Sequence, residues 1–186
     1  MIEIVASWNI NKSWTLFLDR DGVINERNFG GYIISPNQFK FKNGVLDALE
    51  IVDIVFGKSI LITNQQGVAK KIMSERNLKE VHRYMSQELK LKSNFEFDAI
   101  FTATNFRGAQ NDRRKPNSSM ALEAKELFST IDFKKAVMVG DTDSDIKFGT
   151  NLGMKTVLVK SDEVVVEKPD VVVSSLKEFA LMLKEI

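Results

Sequence analysis

Short apolar runs alternate with longer amphipathic stretches along this chain, and the alternation predicts its architecture. The runs Thr15–Leu18, Ser59–Thr63, Ala99–Ala103, Ala136–Gly140, Lys155–Val159 and Val171–Val173 are bounded by turn residues or charge. Several are rich in Val and Ile, which reads as buried strands. Between them, apolar positions recur at helical spacing: Val45, Leu49 and Val52; Leu78, Val81, Met85 and Leu89; Met120, Ala124, Leu127 and Phe128. Such stripes are core-facing sides of helices. Asn43 and Ser74 stand where N-caps belong, the second opening a helix over Ser74–Leu91. Strands alternating with helices predict an α/β fold: a doubly wound, mainly parallel sheet with helices on both faces. Ligands of such sheets bind beyond the carboxyl ends of the strands, so the residues that follow each run carry the interest.

Length and charge narrow the picture. A chain of 186 residues fits one domain over 1–186, with residues 1–13 as an N-terminal extension expected to add an edge strand or an oligomer contact. Its 26 basic and 25 acidic side chains leave a net charge of +1, which offers no general footprint for nucleic acid or membrane. No apolar run approaches the roughly 20 residues that span a bilayer. Met1–Trp14 has neither the basic start nor the apolar core of a leader, so a cytoplasmic location is expected. Cysteine is absent, which excludes disulfides, thiol catalysis and Cys-ligated zinc. A single histidine, His82, excludes a His triad or a multi-His metal site within the chain. Any chemistry must use carboxylates, hydroxyls, lysine and a hard cation.

The strand ends supply such groups. The first run leads into Asp19-Arg20-Asp21-Gly22, the second into Thr63-Asn64-Gln65, and the fourth into Asp141 with Asp143 and Asp145 close behind. Arg114-Lys115-Pro116 stands ahead of the third helix. Asp19 and Asp21, two apart on extended backbone, share a side of the chain, and Gly22 permits a sharp turn after them. Carboxylates that close need a cation or a proton. With Asp141 added, an all-oxygen donor set suits Mg²⁺. Lys115 can balance the remaining charge and hold an anion. The set points to phosphoryl transfer through an aspartyl phosphate, one carboxylate attacking phosphorus and the other moving the proton. Each piece alone has a plainer reading: a solvated Asp pair, a cap at Thr63-Asn64, a helix start at Lys115-Pro116. Asp143 is expected to cap a helix over Ser144–Leu152, and Asp145 to be a partner of the metal or of Lys115, or a first-turn carboxylate. Order and placement at successive strand ends favour the joint reading.

Asp19-Arg20-Asp21-Gly22-Val23-Ile24-Asn25, Thr63-Asn64-Gln65, Arg114-Lys115-Pro116 and Gly140-Asp141 with Asp145 resemble the four motifs of the haloacid dehalogenase superfamily. The likeness covers about residues 15 to 175 and is strongest to the branch of its heptose-bisphosphate and histidinol-phosphate phosphatases. It implies the Rossmann-like fold of that family without a large cap domain, and an Mg²⁺-dependent phosphomonoesterase. The implied substrate is a sugar phosphate such as D-glycero-D-manno-heptose 1,7-bisphosphate; histidinol phosphate and polynucleotide 3′-phosphate ends are the alternatives. It implies Asp19 as nucleophile and Asp21 as general acid/base. Thr63 and Lys115 would hold the transferring phosphate, and Asn64 and Arg114 would face the phosphate or the rest of the substrate. Asp19, Asp21 through its backbone carbonyl, and Asp141 would bind the metal. The implied partner is a small phosphorylated molecule, with no membrane and no nucleic acid expected. Oligomeric state stays open.

Two departures stand out. The stretch Thr104–Arg113 lacks the Cys and His ligands that relatives often place before Arg-Lys-Pro, so no zinc is expected. Thr142 stands where a basic residue usually follows the fourth-motif aspartate. The loops Glu26–Gln38 and Thr104–Arg113 should border an open site, with Arg107, Arg113 and Arg114 as a basic cluster beside it. Lys70-Lys71 reads as a solvated pair, His82 as a surface or half-buried helix residue, and Trp8 and Trp14 as packing.

Overall fold

The computed structural model describes residues 1–185. All six apolar runs become strands: β1 (Thr15–Leu18), β2 (Lys58–Asn64), β3 (Ala99–Ala103), β4 (Ala136–Gly140), β5 (Lys155–Val159) and β6 (Val171–Val173). They pair side by side, all parallel, in the order β3-β2-β1-β4-β5-β6. Thr15 registers with Lys58 on one side and with Ala136 on the other, so β1 is central and flanked by β2 and β4. The chain winds outward from β1 in one direction and then the other. The crevice at that reversal, beyond the carboxyl end of β1, is where parallel sheets place ligands.

Six helices cover the sheet among the described residues: α1 (Ile2–Ser7), α2 (Val45–Val55), α3 (Glu75–Ser93), α4 (Ser119–Leu127), α5 (Asp143–Leu152) and α6 (Leu176–Lys184). Strand periodicity sorts them into two layers. Leu16, Leu18, Leu61, Val137 and Val139 face one way and pack with residues of α1, α2, α3 and α6. Phe17, Ile60, Ile62 and Met138 face the other way, against α4 and α5. Because both faces are covered, the central strands are apolar throughout rather than alternating.

Several local details differ from the expectation. Residues 1–13 add no edge strand; they open with α1, whose Val5, followed by Trp8, is buried in the core layer that α6 shares. The Trp8 ring lies over Lys155 at the start of β5, the amino edge of the sheet. Asn43 is not a cap. Gly44, in the left-handed conformation at φ 76°, precedes α2, and a Cβ there would lie 2.5 Å from Lys177 Cδ, so the position takes glycine and no capping side chain. Ser74 does cap α3, reciprocally with Asn77. In α4, Met120 and Ala124 face the core, but Leu127, its last residue, is exposed.

Candidate active site

Beyond the ends of β1 and β2 lies a cavity of about 620 Å³, lined by Asp19, Asp21, Thr63, Asn64 and Arg114 among others. Segments of the two loops expected to border it, Arg27 to Ile33 and Arg107, form its walls. Asp19 continues β1 along β4, its amide donating to Val139 O at 3.0 Å. Gly22 then takes φ 93°, and a Cβ there would lie 2.1 Å from Asp141 Oδ2. Glycine is therefore required at this turn on two counts, backbone conformation and the close approach of the β4 carboxylate.

The floor is a buried charge cluster. Lys115 Nζ lies 2.6 Å from Asp19 Oδ1, 2.6 Å from Asp145 Oδ1 and 2.8 Å from Ile62 O. Carboxylate oxygens of Asp19, Asp141 and Asp145 lie within 4.8 Å of one another. Burial pushes the Asp19 carboxyl up to about 7; Lys115 pulls against this, while Asp145, Asp141 and Asp21 add to it. Burial and Asp145 likewise raise Asp141 to about 6, with Arg27 opposing. Burial alone would lower Lys115, but Asp145 and Asp19 outweigh it and hold the ammonium firmly charged. Asp141 Oδ1 is buried with no partner in the protein. An orphaned carboxylate oxygen beside two further carboxylates fits a divalent cation with oxygen ligands.

The Asp21 carboxylate turns away from this cluster. It receives Arg20 Nη2 on both oxygens at 2.9 Å, Asn25 Nδ2 at 2.9 Å and Gln65 Nε2 at 2.7 Å. Burial works to raise its pKa, but the Arg20 cation and these donors prevail and hold it below the usual carboxylate range. Asp145, not the Asp21 side chain, is the third carboxylate of the cluster. Its Oδ2 also accepts from the amides of Asp141 and Thr142 at 3.2 and 3.1 Å, which locks the β4–α5 turn. Thr142, not Asp143, is thus the N-cap of α5. Asp143 instead accepts from the amides of Val166 and Glu167, at 2.8 Å each, and pins the segment after β5.

Other expected residues divide. Gln65 Nε2 donates to Thr63 Oγ1 at 2.8 Å, so Gln65 joins Thr63 to Asp21. Asn64 lines the cavity, yet both ends of its amide hold the Lys115 backbone, Oδ1 accepting at 2.9 Å and Nδ2 donating at 3.1 Å. Arg114 is buried, with Nε and Nη1 lacking any protein partner, beside the exposed Arg107. Arg113 leaves the expected basic cluster: it pairs with Glu123 and donates to Thr102 O. Sequence reasoning missed Arg27, whose Nη1 lies 3.0 Å from Asp141 Oδ2 and whose Nη2 lies 3.3 Å from Glu163. No motif marks Arg27, because its partner is 114 positions away. Sequence reasoning also left His82 without a role, although its Nε2 sits 3.0 Å from Arg20 Nη1.

A parallel sheet with Asp-x-Asp after its central strand, Thr-Asn at the end of the next, and a buried lysine joining Asp19 to Asp145 in the first turn of α5 defines a phosphohydrolase of the haloacid dehalogenase type. Residues 112–179 match the HAD-hydrolase-like family model. The chain is 32% identical over 183 residues to a Haemophilus influenzae D-glycero-beta-D-manno-heptose-1,7-bisphosphate 7-phosphatase, covering 92% of this chain and 97% of that one. It is 30% identical to the Helicobacter pylori enzyme of the same name over 151 residues, 81% of this chain and 84% of that one. The chain therefore belongs to the haloacid dehalogenase-like hydrolases and is a phosphatase, a hydrolase of phosphate esters. A solved D,D-heptose 1,7-bisphosphate phosphatase from B. bronchiseptica, complexed with magnesium and phosphate, shares the fold. Its TM-score is 0.81 at 24% identity, covering 92% of this chain and 98% of that one. Among the described residues, no helix is long and apolar enough to cross a membrane.

Proposed function

We propose that the protein is an Mg²⁺-dependent phosphomonoesterase that acts through an aspartyl phosphate on Asp19, with a sugar bisphosphate of the heptose 1,7-bisphosphate class as substrate. The observation that carries the mechanism is the convergence of Asp19, Asp141 and Asp145 about Lys115, with Asp141 Oδ1 orphaned. Asp19, Asp141 and the backbone carbonyl of Asp21 would hold the ion, with Asp145 fixing Lys115 and the β4–α5 turn. Mg²⁺ bound there supplies positive charge that keeps Asp19 ionised and draws charge from the phosphoryl oxygens.

The residues then divide the reaction. An Asp19 oxygen forms a bond to phosphorus as the ester P–O bond breaks; Asp21, whose donors favour the anion in the free site, takes up a proton from solvent when the negative substrate phosphate arrives beside it and gives that proton to the leaving oxygen. Asp21 then takes a proton from water as the water oxygen attacks phosphorus and frees Asp19. Thr63 Oγ1 and Lys115 Nζ bind the equatorial oxygens. Arg114 lines the cavity, and its guanidinium suits an anion of the substrate. Lys70 and Arg107 on the same walls suit a second anionic group. The names of the relatives, covering nearly the whole chain, support a heptose bisphosphate, and the all-oxygen donor set supports Mg²⁺ without zinc.

The test is phosphate release by purified protein in Mg²⁺ from heptose 1,7-bisphosphate, histidinol phosphate and nicked DNA with a 3′-phosphate. Preferred turnover of the heptose bisphosphate supports the proposal. Preference for either of the others replaces the substrate, and full activity of Asp19→Asn removes the mechanism.

A further inference from the structure

Arg20 follows the residue proposed as nucleophile and points to the other side of the chain. It is fully buried, and its guanidinium carries five donors and no acceptor. Nη2 forks onto both oxygens of Asp21 at 2.9 Å. Nη1 meets Nε2 of His82, on α3, at 3.0 Å. Arginine can only donate here, so Nε2 must be the lone-pair nitrogen and the imidazole must be neutral, with its proton on Nδ1. Burial and the Arg20 charge push His82 down to about 3, against a weaker pull from Asp21, which agrees with a ring that stays neutral. His82 is the single histidine of the chain, and it spends its acceptor on a buried cation.

We propose that His82 is a positioning residue for proton transfer: by accepting from Arg20 it fixes the guanidinium fork that aims Asp21. The inference rests on the phosphatase reading and adds to it a group on α3 that touches neither substrate nor metal. Without the His82 acceptor, Arg20 Nη1 loses its buried partner and the fork can tilt. The Asp21 carboxyl group then loses its direction. A misaimed general acid harms substrates in proportion to how much their leaving oxygen needs a proton. An alkoxide needs it fully; a nitrophenolate leaves without it.

The readout is kcat/KM, which reports steps through formation of the aspartyl phosphate, for a sugar phosphate and for p-nitrophenyl phosphate. His82→Leu should lower the sugar phosphate value by about 10²-fold, within the range of general acid catalysis, and the nitrophenyl value less than tenfold. His82→Gln, whose terminal oxygen can reach the Nε2 position, should restore the ratio. Equal losses on both esters, or no loss, would overturn the proposal in favour of packing alone. A long-range ¹H–¹⁵N spectrum at pH 7 serves as the second measurement and needs no folded variant, because one imidazole gives one spin system. Lone-pair Nε2 and protonated Nδ1 support the contact; a protonated Nε2 ends the proposal whatever the kinetics. If the unmodified enzyme hydrolyses neither ester, the phosphatase reading fails instead and takes the positioning role with it, while the spectrum still reports the Arg20 contact.

Discussion

Asp19→Asn should do more than stop turnover: it should change how the metal-free protein responds to pH. Burial among Asp141, Asp145 and Asp21 lifts the Asp19 carboxyl from 3.8 to about 7 despite Lys115. That displacement corresponds to ~4 kcal/mol of folding free energy at the rate of about 1.4 kcal/mol per tenfold in proton affinity. The folded state binds this proton more tightly than the unfolded state, so the stabilisation is fully present below pH 3.8. It is lost as pH rises through about 7. About 3 kcal/mol of that loss falls between pH 5 and 8. Asparagine has no proton to lose, so the variant should lack this part of the slope. A smaller slope of the same sign remains in it from Asp141, which is lifted to about 6. Urea denaturation in EDTA at pH 5 and pH 8 measures both slopes. Saturating Mg²⁺, which prefers the ionised carboxylates, should stabilise the wild type more at pH 8 than at pH 5. Parallel pH slopes for wild type and variant, or a wild type that gains stability from pH 5 to 8 in EDTA, would refute the electrostatic account of the cluster.

Lys115→Met leaves Asp19 and Asp145 buried without their shared cation, so unfolding free energy should fall by about 3–5 kcal/mol and phosphate release should vanish; denaturant titration and a phosphate assay read the two effects. Gly22→Ala places a methyl group 2.1 Å from Asp141 Oδ2 at φ 93°. It should therefore weaken Mg²⁺ binding in calorimetry by at least tenfold, and unchanged affinity would contradict the packing of that turn. Trp8→Ala removes a buried indole at the amino edge of the sheet. It should cost about 3–5 kcal/mol of stability while kcat and KM stay as they are, since the cavity opens at the opposite edge.

How much of this was legible in the sequence can be argued from single residues. All six strands were readable, five of them to the residue boundary and β2 to within one residue at each end, because a buried parallel strand is a local composition: Ala99–Ala103 or Val171–Val173 needs only its own side chains to be apolar. The motif residues Asp19, Thr63 and Asp141 were readable for a related reason. A parallel sheet fixes where its strands end, so a polar group following an apolar run is delivered to one crevice whatever the loops do. Caps were less legible. Ser74 could be named because its partner lies three residues on; Thr142 has the same local partner in Asp145, but three acidic residues close together hid which position begins the helix, and Gly44 displaced Asn43 without any capping side chain.

Only the tertiary structure decided the pairings. That Asp145 joins the charge cluster while the Asp21 side chain leaves it depends on Arg20, Asn25 and Gln65 converging from two strand ends. That Arg27 meets Asp141, that Asn64 clamps the Lys115 backbone and that His82 receives Arg20 depends on contacts 114, 51 and 62 positions apart. Periodicity records which face of an element is dry, since that is a property of the element alone. Charge partnership is a property of two elements at once, fixed by hydrogen-bond distance in a buried space, and a linear pattern carries no measure of that distance.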